Sequence, residues 1–142
     1  GHLDVLKRGL KLFDKIIVAV GEHYAKNYLF SQEERVAMIK EAVKGMPVEV
    51  RHFSGMLIDF AAKEKANAIL RGLRAVSDYD SEFQMAITNR KFNQDIETVF
   101  IMTRGMYSYL SSTVVKEVAS LGGKLDGMVP ENVEMLLKKK FP

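Results

Sequence analysis

Apolar positions along this chain switch repeatedly between a helical and an extended period. Leu3, Leu6, Leu10 and Phe13 fall at helical spacing with Lys7, Arg8 and Lys11 between them, which predicts an amphipathic helix starting almost at residue 1. Ile16-Ile17-Val18-Ala19-Val20 follows as a short β-branched run, the pattern of a strand buried on both faces of a parallel sheet. Residues 21–30 read as a polar loop. Ser31-Gln32-Glu33-Glu34 has the form of a capping box, in which the serine hydroxyl accepts a backbone N–H and the second glutamate reaches back. The helix it opens carries Val36, Ile39 and Val43 on one face and ends at Gly45.

Val48 to Phe53 alternates apolar and polar residues and predicts a strand. Met56 to Ala66 reads as a helix, and Ala68-Ile69-Leu70 as a short buried strand running into Arg71-Gly72-Leu73-Arg74. A long helix is expected over 75–91 with Val76, Tyr79, Phe83, Ala86 and Ile87 facing inward. Thr98 to Met102 predicts another strand. Ser111 caps a helix bearing Val114, Val115, Val118 and Leu121, stopped by Gly122-Gly123, and Pro130 opens a last short helix at its first position. Lys138-Lys139-Lys140 then lies at a helix end, where positive charge offsets the dipole. Strands alternating with helices in this way predict a single α/β domain over 1–142, with a Rossmann-like, doubly wound parallel sheet and helices on both faces.

Composition narrows the function classes. The 142 residues suffice for one hydrophobic core, and 47% apolar with 27% charged residues is the balance of a globular protein. A net charge of +3 is too small an excess to indicate nucleic-acid binding, and no aromatic-basic platform accompanies it. With no cysteine, disulfides, thiolate metal sites and cysteine nucleophiles are excluded. No apolar run reaches the length of a membrane span and no signal peptide is evident, so no membrane partner and a cytoplasmic location are expected.

In doubly wound sheets ligands gather at the carboxyl ends of the strands. Four groups are expected at that edge: His2 opening the first helix, Lys26 in the loop after the first strand, Arg71 and Arg74 after a buried strand, and Ser111-Ser112-Thr113 opening a helix. Their common chemistry is anion binding. Helix N-termini present free N–H groups, arginines offer forked donors and a lysine adds a mobile point charge. No Walker motif is present, and no nucleophile–base pair stands out. A polyphosphate site that transfers a phosphorus group directly, by positioning and charge stabilisation, fits these residues. Each has a plainer use as well: surface charge for Arg71, Arg74 and Lys26, a helix face for Glu82, a cap for the serines. His23 and His52 read as loop and strand-surface residues, and the eight methionines as packing.

Several segments also resemble a known family. Gly1-His2-Leu3-Asp4 resembles the end of the [T/H]xGH motif of the nucleotidylyltransferase superfamily, and Leu110-Ser111-Ser112-Thr113-Val114-Val115-Lys116 its ISSTxxR motif, with leucine and lysine as mild departures. Ile69 to Tyr79 is similar to the IRGLRAxxDF segment of the phosphopantetheine adenylyltransferases. Leu29 to Val36, Glu82 to Arg90 and Pro130 to Val133 are similar to further segments of that family.

The resemblance implies transfer of AMP from ATP to 4′-phosphopantetheine, giving dephospho-coenzyme A and pyrophosphate. It implies that His2 stabilises the transition state at the α-phosphate and that Lys26 binds and orients the acceptor. Leu57 would contact the pantetheine arm and Arg71 the acceptor phosphate. Gly72, Leu73, Arg74 and Glu82 would bind ATP, and so would Tyr107, Ser108, Tyr109, Leu110, Ser111, Ser112 and Thr113. Mg²⁺ would be held by the ATP phosphates rather than by protein side chains. Dephospho-coenzyme A and coenzyme A are implied as ligands, and a homohexamer as the assembly. The family's chains begin with a strand and a PGTFDPxTxGH loop, so a natural protein carrying that segment ahead of Gly1 is expected, and the domain as given is N-terminally incomplete. Two other readings stay open on the residues alone. One is a sister enzyme with another phosphate acceptor, such as nicotinate mononucleotide. The other is a non-catalytic nucleotide-binding subunit.

Overall fold

The structure is a computed structural model and describes residues 1–22 and 27–142. Its elements run α1 (His2–Gly9), β1 (Ile16–Gly21), α2 (Gln32–Ala42), β2 (Val48–Phe53), α3 (Leu57–Lys63), β3 (Ala68–Leu73), α4 (Val76–Phe92), β4 (Glu97–Met102), a 3₁₀ turn (Gly105–Tyr107), α5 (Ser112–Ser120) and α6 (Glu131–Lys140). The expected alternation of parallel strands and helices is therefore present. Boundaries moved where local chemistry decided them. α3 stops at Lys63, and Lys65 takes a left-handed conformation (φ 55°) in the turn that follows. Pro130 is the N-cap of α6, one position earlier than expected. The capping box at Ser31 is complete: its hydroxyl accepts from Glu34 N–H at 3.2 Å, and its own N–H donates to the Glu34 carboxylate at 2.8 Å.

The strands form two parallel ladders. β1 pairs with β2 from Ile16↔Val48 to Gly21↔Phe53, and β3 with β4 from Ala68↔Glu97 to Leu73↔Met102. Among the described residues no ladder joins β1 to β3. α1 bridges them: a Cβ placed on Gly9 would collide with Leu70 of β3 and approach Ile16 of β1. β1 is consequently less covered than its sequence suggests. Only Val20 is buried, and Ile16 to Ala19 are half-buried, because one strand partner and α2 cover it incompletely.

Two apolar clusters hold the molecule. Leu110, Val115, Ala119, Leu125 and Leu137 join α5 to α6, with Phe30, Tyr107 and Val133 packed around them. Ile58, Ala61, Ile69 and Ile96 join α3 to the β3–β4 ladder. Helix α4 departs most from expectation. Val76, Tyr79, Phe83 and Ile87 point outward, with Val76 89% exposed, and the one buried residue of the helix is Asn89. Two of its carboxylates, Asp78 and Glu82, turn toward arginines at and just past the end of β3.

Candidate active site

The site is built on the carboxyl end of β3. That strand runs three residues further than expected, because Arg71, Gly72 and Leu73 pair in register with Phe100, Ile101 and Met102 of β4, and the bonding carries on at Thr103. Its N–H donates to the Leu73 carbonyl at 2.8 Å and its hydroxyl to the same oxygen at 3.0 Å. Arg71 and Leu73 lie two residues apart on one face of the strand; Leu73 is buried, and Arg71 is exposed where it reaches Glu82. Gly72 lies against α1, where a Cβ would stand 2.8 Å from Val5 Cγ2. Only glycine lets α1 approach so closely, and that approach brings His2, the first residue of α1, to the two arginines.

Each arginine is gripped by one carboxylate of α4. Arg71 donates from Nε to Glu82 at 2.8 Å and from Nη2 to the other oxygen at 2.6 Å. This forked pair raises the guanidinium's pKa from its ordinary value, chiefly through the hydrogen bonds to Glu82. Arg74 forks onto Asp78, from Nε and Nη2, at 3.0 Å each. Its backbone N–H also donates to Asp78 at 3.1 Å, and its Nη1 donates to the Leu110 carbonyl at 2.7 Å. The Asp78 carboxyl is held below its ordinary pKa, first by the side chain of Arg74 and then by that backbone N–H. Asp78 and Glu82 stand four residues apart on α4 and therefore share a face.

His2 opens α1 as an exposed residue, with Arg71 and Arg74 near enough to act on its charge. Loss of hydration lowers its pKa most, followed by the positive charges of the Gly1 amino group, Arg71 and Arg74. The imidazole is therefore neutral near pH 7, a single N–H donor among fixed cations. Asp4, two residues on, pairs with Arg8 at 3.3 Å and with Arg104 at 3.1 Å, and Arg8 donates to the Met102 carbonyl at 2.5 Å. These contacts tie the first turn of α1 to the end of β4. Gly1 itself lies beside Tyr107.

The third wall is the start of α5. Ser111 is its N-cap and accepts from Val114 N–H at 3.2 Å, while Ser112 and Thr113 are exposed in the first turn. The remaining N–H groups of that first turn have no intrahelical partner. Leu110 and Leu73 are buried by their side chains, so only their backbones face the site. Ser108 spends its hydroxyl on the Gly105 carbonyl at 2.7 Å, and Tyr109 is exposed.

The structure thus brings together His2, Arg71, Gly72, Leu73, Arg74, Glu82 and the Leu110–Ser111 segment. Leu57 is the first residue of α3, after the carboxyl end of β2, and packs on the Ile58–Ile69 cluster. Lys26 lies outside the described residues. Asp78, Asp4 and Thr103 escaped sequence reasoning. For Asp78 the Arg74-to-Asp78 spacing was the available signal, but it reads as an ordinary surface pair until Arg74 is seen to precede the helix.

A family description for cytidylyltransferase-like proteins matches residues 1–118. The chain thereby falls in the cytidylyltransferase-like class, whose transfer of a nucleotidyl group suits a site of arginines, a neutral histidine and a helix N-terminus. A protein of Desulfatibacillum aliphaticivorans named phosphopantetheine adenylyltransferase is 53% identical over 142 residues, 99% of this chain and 81% of that protein. Proteins of the same name from Geotalea daltonii and Moorella thermoacetica are 53% and 49% identical, each over 99% of this chain and over 88% and 89% of their own lengths. The chain belongs to the phosphopantetheine adenylyltransferase family.

Proposed function

We propose that this chain transfers the adenylyl group of ATP to 4′-phosphopantetheine, a step of coenzyme A synthesis, at the site between α1, β3 and α5. The observation that carries the reading is the meeting of His2 with Arg71 and Arg74 beside the capped start of α5. An oxygen of the acceptor phosphate attacks the α-phosphorus of ATP in line. One P–O bond forms, the bond to the β-phosphate bridging oxygen breaks, and pyrophosphate leaves. Charge builds on the α-phosphate oxygens and on the leaving group, where donors already in place stabilise it without reorganising. The His2 N–H serves the α-phosphate. Arg71 takes the acceptor phosphate, with Lys26 and Leu57 binding the rest of the acceptor. Arg74, the backbone from Gly72 to Leu73, Glu82 and the segment Tyr107–Thr113 take the nucleotide.

Mg²⁺ fits this arrangement as a companion of the nucleotide. The two α4 carboxylates of the site are already engaged by arginines, so phosphate oxygens would hold the ion and it would neutralise part of their charge. The assembly we infer is a homohexamer. The outward stripe of Val76, Tyr79, Phe83 and Ile87, on which Tyr79 stacks with Phe83 at 5.4 Å, is apolar surface that a second copy would cover. Among the described residues no helix is long and apolar enough to cross a membrane, and the cytoplasm, where ATP is available, is the compartment this reading implies.

Pyrophosphate release from ATP and Mg²⁺, with and without 4′-phosphopantetheine, tests the reading. Release that needs the acceptor and falls at least about 100-fold in His2→Ala is expected, the size seen when one transition-state donor is removed. Turnover with nicotinate mononucleotide instead, or ATP binding with no release, would overturn it.

A further inference from the structure

Asp78 meets Arg74 through three hydrogen bonds, two to the guanidinium and one to the backbone N–H. The guanidinium arm left over reaches the Leu110 carbonyl, 36 residues along the chain and one residue before the cap of α5. With its Nε and Nη2 fixed on Asp78, the planar group has a single direction in which to offer Nη1. We infer that Asp78 is a positioning residue for the nucleotide: through Arg74 it fastens the start of α5 to the end of β3, so that the phosphate-binding wall is assembled before ATP arrives.

The inference rests on the reading of Arg74 as a nucleotide ligand and goes beyond it. Two further observations separate Asp78 from Glu82, one turn along the same helix. Glu82 grips only Arg71 and ties nothing to α5. Asp78 also accepts from the backbone N–H of Arg74, the residue before the N-cap Ala75, and so pins the entry of the chain into α4. Charge and position make opposite demands here. Asp78 is an anion beside a site for a polyanion, so on charge alone its neutralisation would tighten ATP binding. On positioning, neutralisation frees Arg74 to swing, lets the start of α5 drift, and weakens ATP binding.

Steady-state kinetics of Asp78→Asn against both substrates decide between these. The expected result is a KM for ATP raised roughly ten-fold or more, the scale on which misplaced binding groups act, with the KM for 4′-phosphopantetheine within about two-fold and the thermal midpoint near that of the parent. An unchanged or lowered KM for ATP overturns the inference. So does a parallel rise of both KM values with a falling thermal midpoint, which would make Asp78 a purely structural cap. If the asparagine variant does not fold, Asp78→Ser, which keeps an oxygen for the helix start and cannot fork, gives the same reading. Arg74→Ala keeps the two levels apart. A raised KM for ATP in Arg74→Ala with none in Asp78→Asn removes this inference alone, whereas no change in Arg74→Ala removes both it and the assignment of Arg74.

Discussion

Helices α4 and α5 both follow strands of the β3–β4 ladder, and they turn opposite surfaces inward. α5 buries Val115 and Ala119 in a cluster with Leu110, Leu125 and Leu137. α4 buries Asn89, presents Asp78 and Glu82 to two arginines, and leaves Tyr79, Phe83 and Ile87 exposed by 45% to 55%. The first helix is held by apolar area removed from water, the second by charged hydrogen bonds at a site. Apolar spacing on a helix therefore marks the face that meets some partner, which need not be its own sheet.

That contrast is open to direct attack, most forcefully at the α5 cluster. Leu125 is 1% exposed there, and Leu125→Ala should cost about 2–5 kcal/mol, read from denaturant unfolding, through lost transfer energy and the cavity left behind. Next is the cap of α5. Ser111→Ala should cost about 0.5–2 kcal/mol by the same measurement and weaken ATP binding as well, since the cap shapes the anion site. On α4 the expected cost is smaller. Phe83→Ser should change the unfolding free energy of the dilute chain by less than about 0.5 kcal/mol, as exposed positions do. The hexamer proposed above predicts that in light scattering the same change lowers the mass below six times 16.0 kDa. A large loss of stability in the dilute chain would mean that α4 has an apolar core of its own.

The subtlest test concerns protons. The folded-state pKa of His2 lies below its ordinary 6.5, so the unfolded chain binds the proton first as the pH falls. The contribution of His2 to stability is then complete above about 6.5 and is lost as the pH drops through the folded-state value. Between about pH 7.5 and about pH 5.5, the denaturant midpoint of the parent should fall more than that of His2→Gln. Replacing Arg74 by alanine should raise the His2 titration midpoint in NMR, because one of the cations that lower it is gone.

Much of this was readable from residue types. The capping box, the strand β2 and the stop at Gly122, which has φ +70°, follow from local rules that tertiary contacts left alone. The convergence of His2, Arg71, Arg74 and the start of α5 was readable as well, since groups that follow parallel strands meet at the carboxyl edge of the sheet. Direction was harder to read. The apolar stripe of α4 was assigned inward because periodicity gives a face without saying what lies opposite. The extra length of β3 depended on Gly72 accepting Val5 and on the register with Phe100, Ile101 and Met102 of β4, both contacts between distant segments. Asp78 was invisible for the same reason, since its partner matters only through Leu110.

The bond from Arg74 to Leu110 also bears on how the molecule comes to be. α1, the end of β3 and the start of α5 are remote in sequence, and chain closures over such distances are slow compared with the winding of a helix. The helices can thus form while the reaction centre is still in pieces. A refolding chain would regain its circular dichroism early and its turnover late, with the Arg74–Leu110 contact among the last to close. Enzyme activity is then a clock for the final stage of assembly, where helix content is not.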